Sequence, residues 1–128
     1  MIQLMSDPAY IVFAHGSSVE SANEAVRVVA RKAAMLGEWR MSATAFLEGG
    51  SPTLGEAVEA LAAHGETHFV VVPYFLTTGL HLKRDLPRLI EEMKQKHPGI
   101  TFGVTEPLDG HPEMANILVE RARAHRQN

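Results

Sequence analysis

The stretch Phe69–Pro87, FVVVPYFLTTGLHLKRDLP, changes character part-way along. Phe69 to Phe75 is the most apolar run of the chain, rich in β-branched and aromatic residues and without polar alternation, as expected of a strand buried on both faces. Pro73 is awkward in a central strand and predicts that the ladder is already ending there. A polar, glycine-containing turn follows and holds His81. A helix is then expected from about Asp85, with Asp85 capping and Pro87 beside it, to Lys96, stopped by His97-Pro98-Gly99. Strand, polar turn and helix make one βα unit, and the rest of the chain repeats it.

Tyr10 to Ala14, YIVFA, is another continuous apolar run and ends abruptly at His15-Gly16-Ser17-Ser18. Ser21 to Leu36 then places Ala22, Ala25, Val26, Val29, Ala30 and Ala33 on one stripe, with Glu24, Arg27, Arg31 and Lys32 opposite, which predicts an amphipathic helix stopped by Gly37. Met41 to Leu47 reads as a second strand. Behind it Ser51 is the expected N-cap and Pro52 the first helical residue of a helix reaching about His64, ended by Gly65. Ile100 to Val104 is a shorter fourth strand, and Pro112 opens a last helix to about Arg123. The order βαβαβαβα predicts an α/β fold in three layers: a four-stranded, mostly parallel sheet with helices on both faces, joined by right-handed crossovers in a flavodoxin-like arrangement. At 128 residues, with no linker and no close internal repeat, residues 1–128 are expected to form one domain.

Hydrophobic residues make up 45% and charged residues 21%, the balance of a globular chain. A formal net charge of −3 gives no electrostatic reason to expect nucleic acid or an anionic membrane as partner, so an anionic ligand would need local cations. Cysteine is absent, which removes disulfides and thiolate metal sites and leaves histidine and carboxylate as metal ligands; there are seven histidines. With no apolar segment long enough for a membrane span or a signal peptide, a cytoplasmic location is expected.

In open α/β sheets ligands collect outside the carboxyl ends of the strands. His15 follows the first strand, Glu48 the second and His81 the third, at intervals of 48 − 15 = 33 and 81 − 48 = 33, one βα unit each. In the order 2-1-3-4 these strands are neighbours, about 4.8 Å apart, and the three side chains could meet around one ion. Two imidazoles and a carboxylate suit Co, Fe, Ni or Zn dications, and the same imidazoles can take protons at neutral pH. Singly, each histidine is as readily a loop residue bonded to backbone. His111, beside Pro112, reads as a loop or helix-start residue; His64 and His97 lie at helix C-termini, His68 at the wrong end of its strand and His125 in a tail. Ser17 near His15 invites a nucleophile reading, but the G-x-S-x-G elbow is missing, as is either glycine-rich phosphate-binding fingerprint. Lys83, Arg84 and Arg88 crowd the start of the third helix, either as a solvated face or as anchors for a ligand with several carboxylates.

FAHGSS, AFLEGGSPTLGEAV, VVVPYFLTTGLHLKRDLP and EPLDGHPEM, in this order over about Tyr10 to Arg121, resemble the small class II chelatases, the sirohydrochlorin cobalto- or ferrochelatases of cobalamin and siroheme synthesis. The resemblance implies a chelatase-like fold and ATP-independent insertion of Co²⁺, Fe²⁺ or Ni²⁺ into a sirohydrochlorin-type tetrapyrrole, with no cofactor beyond that metal. It implies His15, His81 and Glu48 as both catalytic and metal-handling residues. Ser17, Thr78, Gly79, Lys83 and Arg84 become candidates for binding substrate, Gly79 by bending the backbone toward the crevice. A homodimer whose subunits enclose the tetrapyrrole is implied as well. Three features depart from the family pattern: Ser18 stands where many members carry arginine, PLDGHP replaces PLG-x-HP around His111, and a histidine-rich tract is absent. Two other readings share these residues: a non-catalytic metal or tetrapyrrole carrier using the same pocket, and a hydrolase using Ser17.

Overall fold

The computed structural model describes residues 7–76 and 79–126, the side chains of Leu80, His81 and Arg126 excepted. Its elements run β1 (Ala9–Ala14), α1 (Glu20–Gly37), β2 (Ser42–Phe46), α2 (Leu54–Ala63), β3 (His68–Tyr74), α3 (Leu80–Lys96), β4 (Thr101–Val104) and α4 (Glu113–Arg126). The sheet order is β2-β1-β3-β4 and every ladder is parallel, as the sequence predicts. Tyr10 pairs with Ser42 on one side and Val70 on the other, so β1 lies between β2 and β3.

Side chains alternate across the sheet. Ile11, Phe13, Ala45, Phe69 and Val71 turn to one face, where Leu54, Ala57, Val58 and Leu61 of α2 and Leu82, Leu86, Ile90 and Met93 of α3 close the core. Those helix positions recur at three and four residues, the spacing of one buried stripe. Val12 turns the other way and shares a cavity with Ala30 of α1. Among the described side chains of α4 only Met114 is half-buried, and Ile117, Leu118 and Val119 are exposed. No helix among the described residues is long and apolar enough to cross a membrane.

Pro73 is buried within β3, opposite Phe13. The carbonyls of Thr67 and Val71 accept from Thr101 and Thr105 on the β4 side, and Pro73 has the same facing two residues on, past the end of β4. Its missing N–H therefore costs no ladder bond: as expected the ladder with β4 has ended, at Val71, while the ladder with β1 continues to Tyr74.

Three expectations about helices are corrected. α2 is capped by Thr53, not Ser51: the Thr53 hydroxyl accepts from Glu56 N–H at 3.2 Å while the Glu56 carboxylate accepts from Thr53 N–H at 2.9 Å, a reciprocal pair that outcompetes a serine two residues earlier. The Ser51-Pro52 bond is cis, in the reversal that returns Pro52 O to Phe46 N–H at 2.9 Å. α3 begins at Leu80, before Asp85. Lys83 N–H bonds Gly79 O at 3.0 Å, Pro87 lies inside the helix, and Asp85 sits between Arg84 and Arg88 rather than at a cap. α1 is rotated from the expected face: Asn23 and Ala30 are buried and Val26 and Arg27 half-buried, while Ala22, Ala25 and Val29 are exposed. Its stripe of small residues offered little burial, and polar bonds made by Asn23 and Arg27 set the rotation instead.

The end of the sheet opposite the carboxyl edge is fastened by Arg40, which donates to both Glu66 oxygens at 2.8 and 3.0 Å and to Asp7 O at 3.3 Å; Tyr10 and Trp39 stack beside it at 4.5 Å. The hydrogen bonds from Arg40 hold the Glu66 carboxyl below its ordinary value of 4.5. A lowered carboxyl stabilises the fold above its unfolded value and loses that contribution as pH falls through the folded one. Arg40→Ala should therefore lower Tm at pH 7, and the gap to wild type should narrow as pH is taken well below 4.5. A gap that stays constant across a thermal-denaturation pH series would remove the pair from the account.

Candidate functional site

The carboxyl ends of β1 and β2 continue their ladder one step beyond the strands. Leu47 N–H bonds Ala14 O and Glu48 N–H bonds His15 O, both at 2.9 Å. This places His15 and Glu48 on adjacent chains, and His15 Nε2 lies 3.5 Å from Glu48 Oε1. Both side chains are open to solvent, 59% and 70% exposed, as access for a large ligand requires. The sequence expectation that these two residues meet at one edge is met in the geometry.

The His15 ring is held on two sides. Nδ1 lies 3.2 Å from Gly16 O, and because a carbonyl only accepts, that contact is made by Nδ1–H and leaves Nε2 as the nitrogen that faces Glu48. Phe75, one residue beyond β3, meets the ring edge-on at 6.4 Å and also packs against Phe13 at 5.9 Å, tying the imidazole to the core. The backbone bond foreseen for a plain loop histidine is thus present, and it leaves the outer nitrogen turned toward a carboxylate.

Two glycines make the close approach of the loops possible. Gly16 has φ +93, and a Cβ there would lie 1.7 Å from Glu48 O; Gly49 has φ +74, and a Cβ there would fall 3.0 to 3.2 Å from the Ser17 backbone. Each loop presses on the other where a side chain would stand. Asn23, 2% exposed, bonds to both loops: it accepts from Ser17 N–H at 2.9 Å and donates to Ser17 O at 2.8 Å and Gly49 O at 3.2 Å. Ser17 Oγ accepts from Val19 N–H at 3.0 Å at the start of α1, so the serine shapes the turn. Reading α1 by its apolar stripe missed Asn23, because an inward polar residue looks like a solvated one until its partners are known.

The third element is β3 with the start of α3. His81 occupies the first turn of α3, not a free turn. Its side chain and residues Thr77 and Thr78 lie outside the described residues, so the meeting of His81 with His15 and Glu48 belongs to the proposal below. Gly79 has φ −68, which any residue adopts, and a Cβ would meet nothing within 4 Å, so the expected glycine bend is not what positions this segment. It caps α3 without a side-chain bond.

The three cations in the first half of α3 are divided. Lys83 lines a groove of about 450 Å³ between α3 and β4 with Leu82, Leu86, Phe102 and Val104. Arg88 lines a crevice of about 370 Å³ at the carboxyl ends of β1 and β2 with Phe13, Leu47 and Thr53, and it pairs with Glu92 at 3.0 Å. Arg84 lies 3.5 Å from Asp85. His111 is a helix-start residue, as expected: its Nδ1 accepts from Glu113 N–H at 3.1 Å. His68 bonds Thr101 at the far end of the sheet.

The CbiX family matches residues 9–125. The chain belongs to this family. It is 33% identical over 88% of its length to a sirohydrochlorin ferrochelatase of Priestia megaterium, and the match spans 42% of that relative, so the chain covers less than half of it. A CbiX protein of Marinobacter aquaeolei VT8 superposes with a TM-score of 0.81 at 28% identity, over 93% of this chain and 97% of the other. The sirohydrochlorin chelatase SirB of Bacillus subtilis subspecies spizizenii, solved with cobalt, superposes with a TM-score of 0.85 at 26% identity, over 92% of this chain and 50% of the other. The resemblance carried by the motifs is therefore a family membership.

The glycine contacts within this CbiX chain separate two roles. Gly16→Ala should destabilise it, because the new Cβ strikes the Glu48 backbone at a positive φ. Gly55→Ala, in α2 where a Cβ meets nothing within 4 Å, should stabilise it by about 0.5–1 kcal/mol. Thermal denaturation of both variants checks this; a Gly16→Ala protein as stable as wild type would show that the loops are not interlocked.

Proposed function

We propose that the chain inserts a divalent metal, Co²⁺ or alternatively Fe²⁺ or Ni²⁺, into sirohydrochlorin without ATP, using His15, Glu48 and His81 at the carboxyl edge of the sheet. The observation that carries this reading is the facing pair: Nε2 of His15, an acceptor in the neutral ring, opposite a carboxylate oxygen of Glu48 at 3.5 Å. Two acceptors at that distance repel unless a cation or a proton lies between them. Ligand bonds of about 2.1 Å to each atom would subtend roughly 110 degrees, near the tetrahedral angle zinc-like ions accept. The relatives named for cobalt and iron chemistry support the same substrate class.

Metal insertion requires the ion to shed water and two pyrrole N–H protons to leave. His15 and Glu48 present the ion on few, exchangeable ligands, and His81, at the start of the neighbouring α3, completes the set as ligand or base. Phe75 and the exposed Leu76 offer apolar surface beside the pair for the ring face, and Lys83, Arg84 and Arg88 are cations for its carboxylates. Ser17, Thr78 and Gly79 complete the proposal as candidates for binding the substrate. A homodimer enclosing the tetrapyrrole, in the cytoplasm, is part of the same proposal.

Purified protein mixed with sirohydrochlorin and Co²⁺, Fe²⁺ or Ni²⁺ should change the absorption spectrum of the macrocycle faster than the protein-free control. His15→Ala should lose roughly 10²- to 10⁴-fold in rate, the range for a positioned acid–base group. Metallation no faster than the control would end the enzyme reading, with tight binding but no insertion pointing to a carrier. Full rates in both His15→Ala and His81→Ala would remove the histidines from the mechanism.

A further inference from the structure

The loops that carry His15 and Glu48 share no covalent link shorter than α1 and β2, yet their side chains sit 3.5 Å apart. The polar side chain bonded to both loops is that of Asn23. Ser17 is two residues beyond His15 and Gly49 one beyond Glu48, and the Asn23 amide bonds the backbone of each. An amide offers one acceptor and two donors in one plane. Here the acceptor takes Ser17 N–H and the donors serve two carbonyls, a set that neither an aspartate nor an apolar residue reproduces.

The clamp has a further member. Asn23 Nδ2 lies 3.3 Å from Glu20 Oε1, and the other oxygen of Glu20 accepts from Arg27 at 2.6 Å. Arg27 in turn lies 5.3 Å over the Phe46 ring and donates to Ser51 O at 3.3 Å, so the same network reaches the far side of the β2–α2 loop. Asn23 is satisfied and buried, the properties of a group that orients ligands from behind.

We propose that Asn23 is a positioning residue for metal handling: its buried amide locks the loop after β1 to the loop after β2 and so fixes His15 opposite Glu48. This rests on the reading of His15 and Glu48 as the metal-handling pair. The effect of Asn23 should then pass through that pair and nowhere else.

The test is a double-mutant cycle on the full chain. Co²⁺ affinity is followed by the cobalt absorption bands, and insertion into sirohydrochlorin is followed in parallel, for wild type, Asn23→Ala, Glu48→Ala and the double variant. Asn23→Ala should weaken Co²⁺ binding and lower kcat by roughly 10- to 100-fold, the range for groups that orient metal ligands, with the KM for sirohydrochlorin unchanged. The double variant should be no weaker than Glu48→Ala alone. Additive losses, or unchanged Co²⁺ affinity in folded Asn23→Ala, would overturn the proposal. If Asn23→Ala does not fold, Asn23→Ser, which keeps an oxygen for Ser17 N–H, is carried through the same cycle with the same criteria. Glu48→Ala that binds Co²⁺ as tightly as wild type would instead defeat the reading of the site itself.

Discussion

β1 shares ladders with both β2 and β3, and because all three strands run parallel their carboxyl ends emerge together at one edge. Everything proposed for this chain follows from that placement. Residues 33 apart in sequence come to neighbouring chains, and two hydrogen bonds beyond the strands, from Leu47 to Ala14 and from Glu48 to His15, carry the pairing up to the side chains that face each other. The cost is steric: two loops must pass where one would normally fit. Glycine at positions 16 and 49 removes the side chains that would collide, and Asn23 supplies the polar bonds that such crowded backbone needs.

The fold was legible because its signals were redundant. Apolar runs of strand length alternate with helical stretches, and that alternation leaves few topologies to consider; the order of the strands and the pairing of His15 with Glu48 came from it directly. What failed were local signals overruled by packing. Pro87 and Asp85 look like the start of a helix, yet Leu82 and Leu86 belong to the buried stripe of α3, and that stripe begins the helix earlier. In α1 small apolar side chains gain little from burial, so the hydrogen bonds of Asn23 and the guanidinium of Arg27 over Phe46 decided which face turned inward.

The candidate site combines a rigid floor with an open top. His15 is fastened at Nδ1 and along its ring edge, while its outer nitrogen and the Glu48 carboxylate stand largely in solvent. A dication that must be taken from water and handed to a planar macrocycle suits such a surface better than a closed cage would, since exchange at the metal requires open positions. Two cations of α3 lie on different sides of that helix, Lys83 toward β4 and Arg88 toward α2, so a ligand contacting both would straddle its first three turns.

The most direct measurement is the position of the metal. Crystals of the chain soaked with Co²⁺ and measured at the cobalt absorption edge should show the ion within about 2.2 Å of both His15 Nε2 and a Glu48 oxygen, the distances of imidazole and carboxylate ligands. A cobalt ion bound instead at His68, His111 or another surface histidine, with the His15 and Glu48 edge empty, would contradict the account.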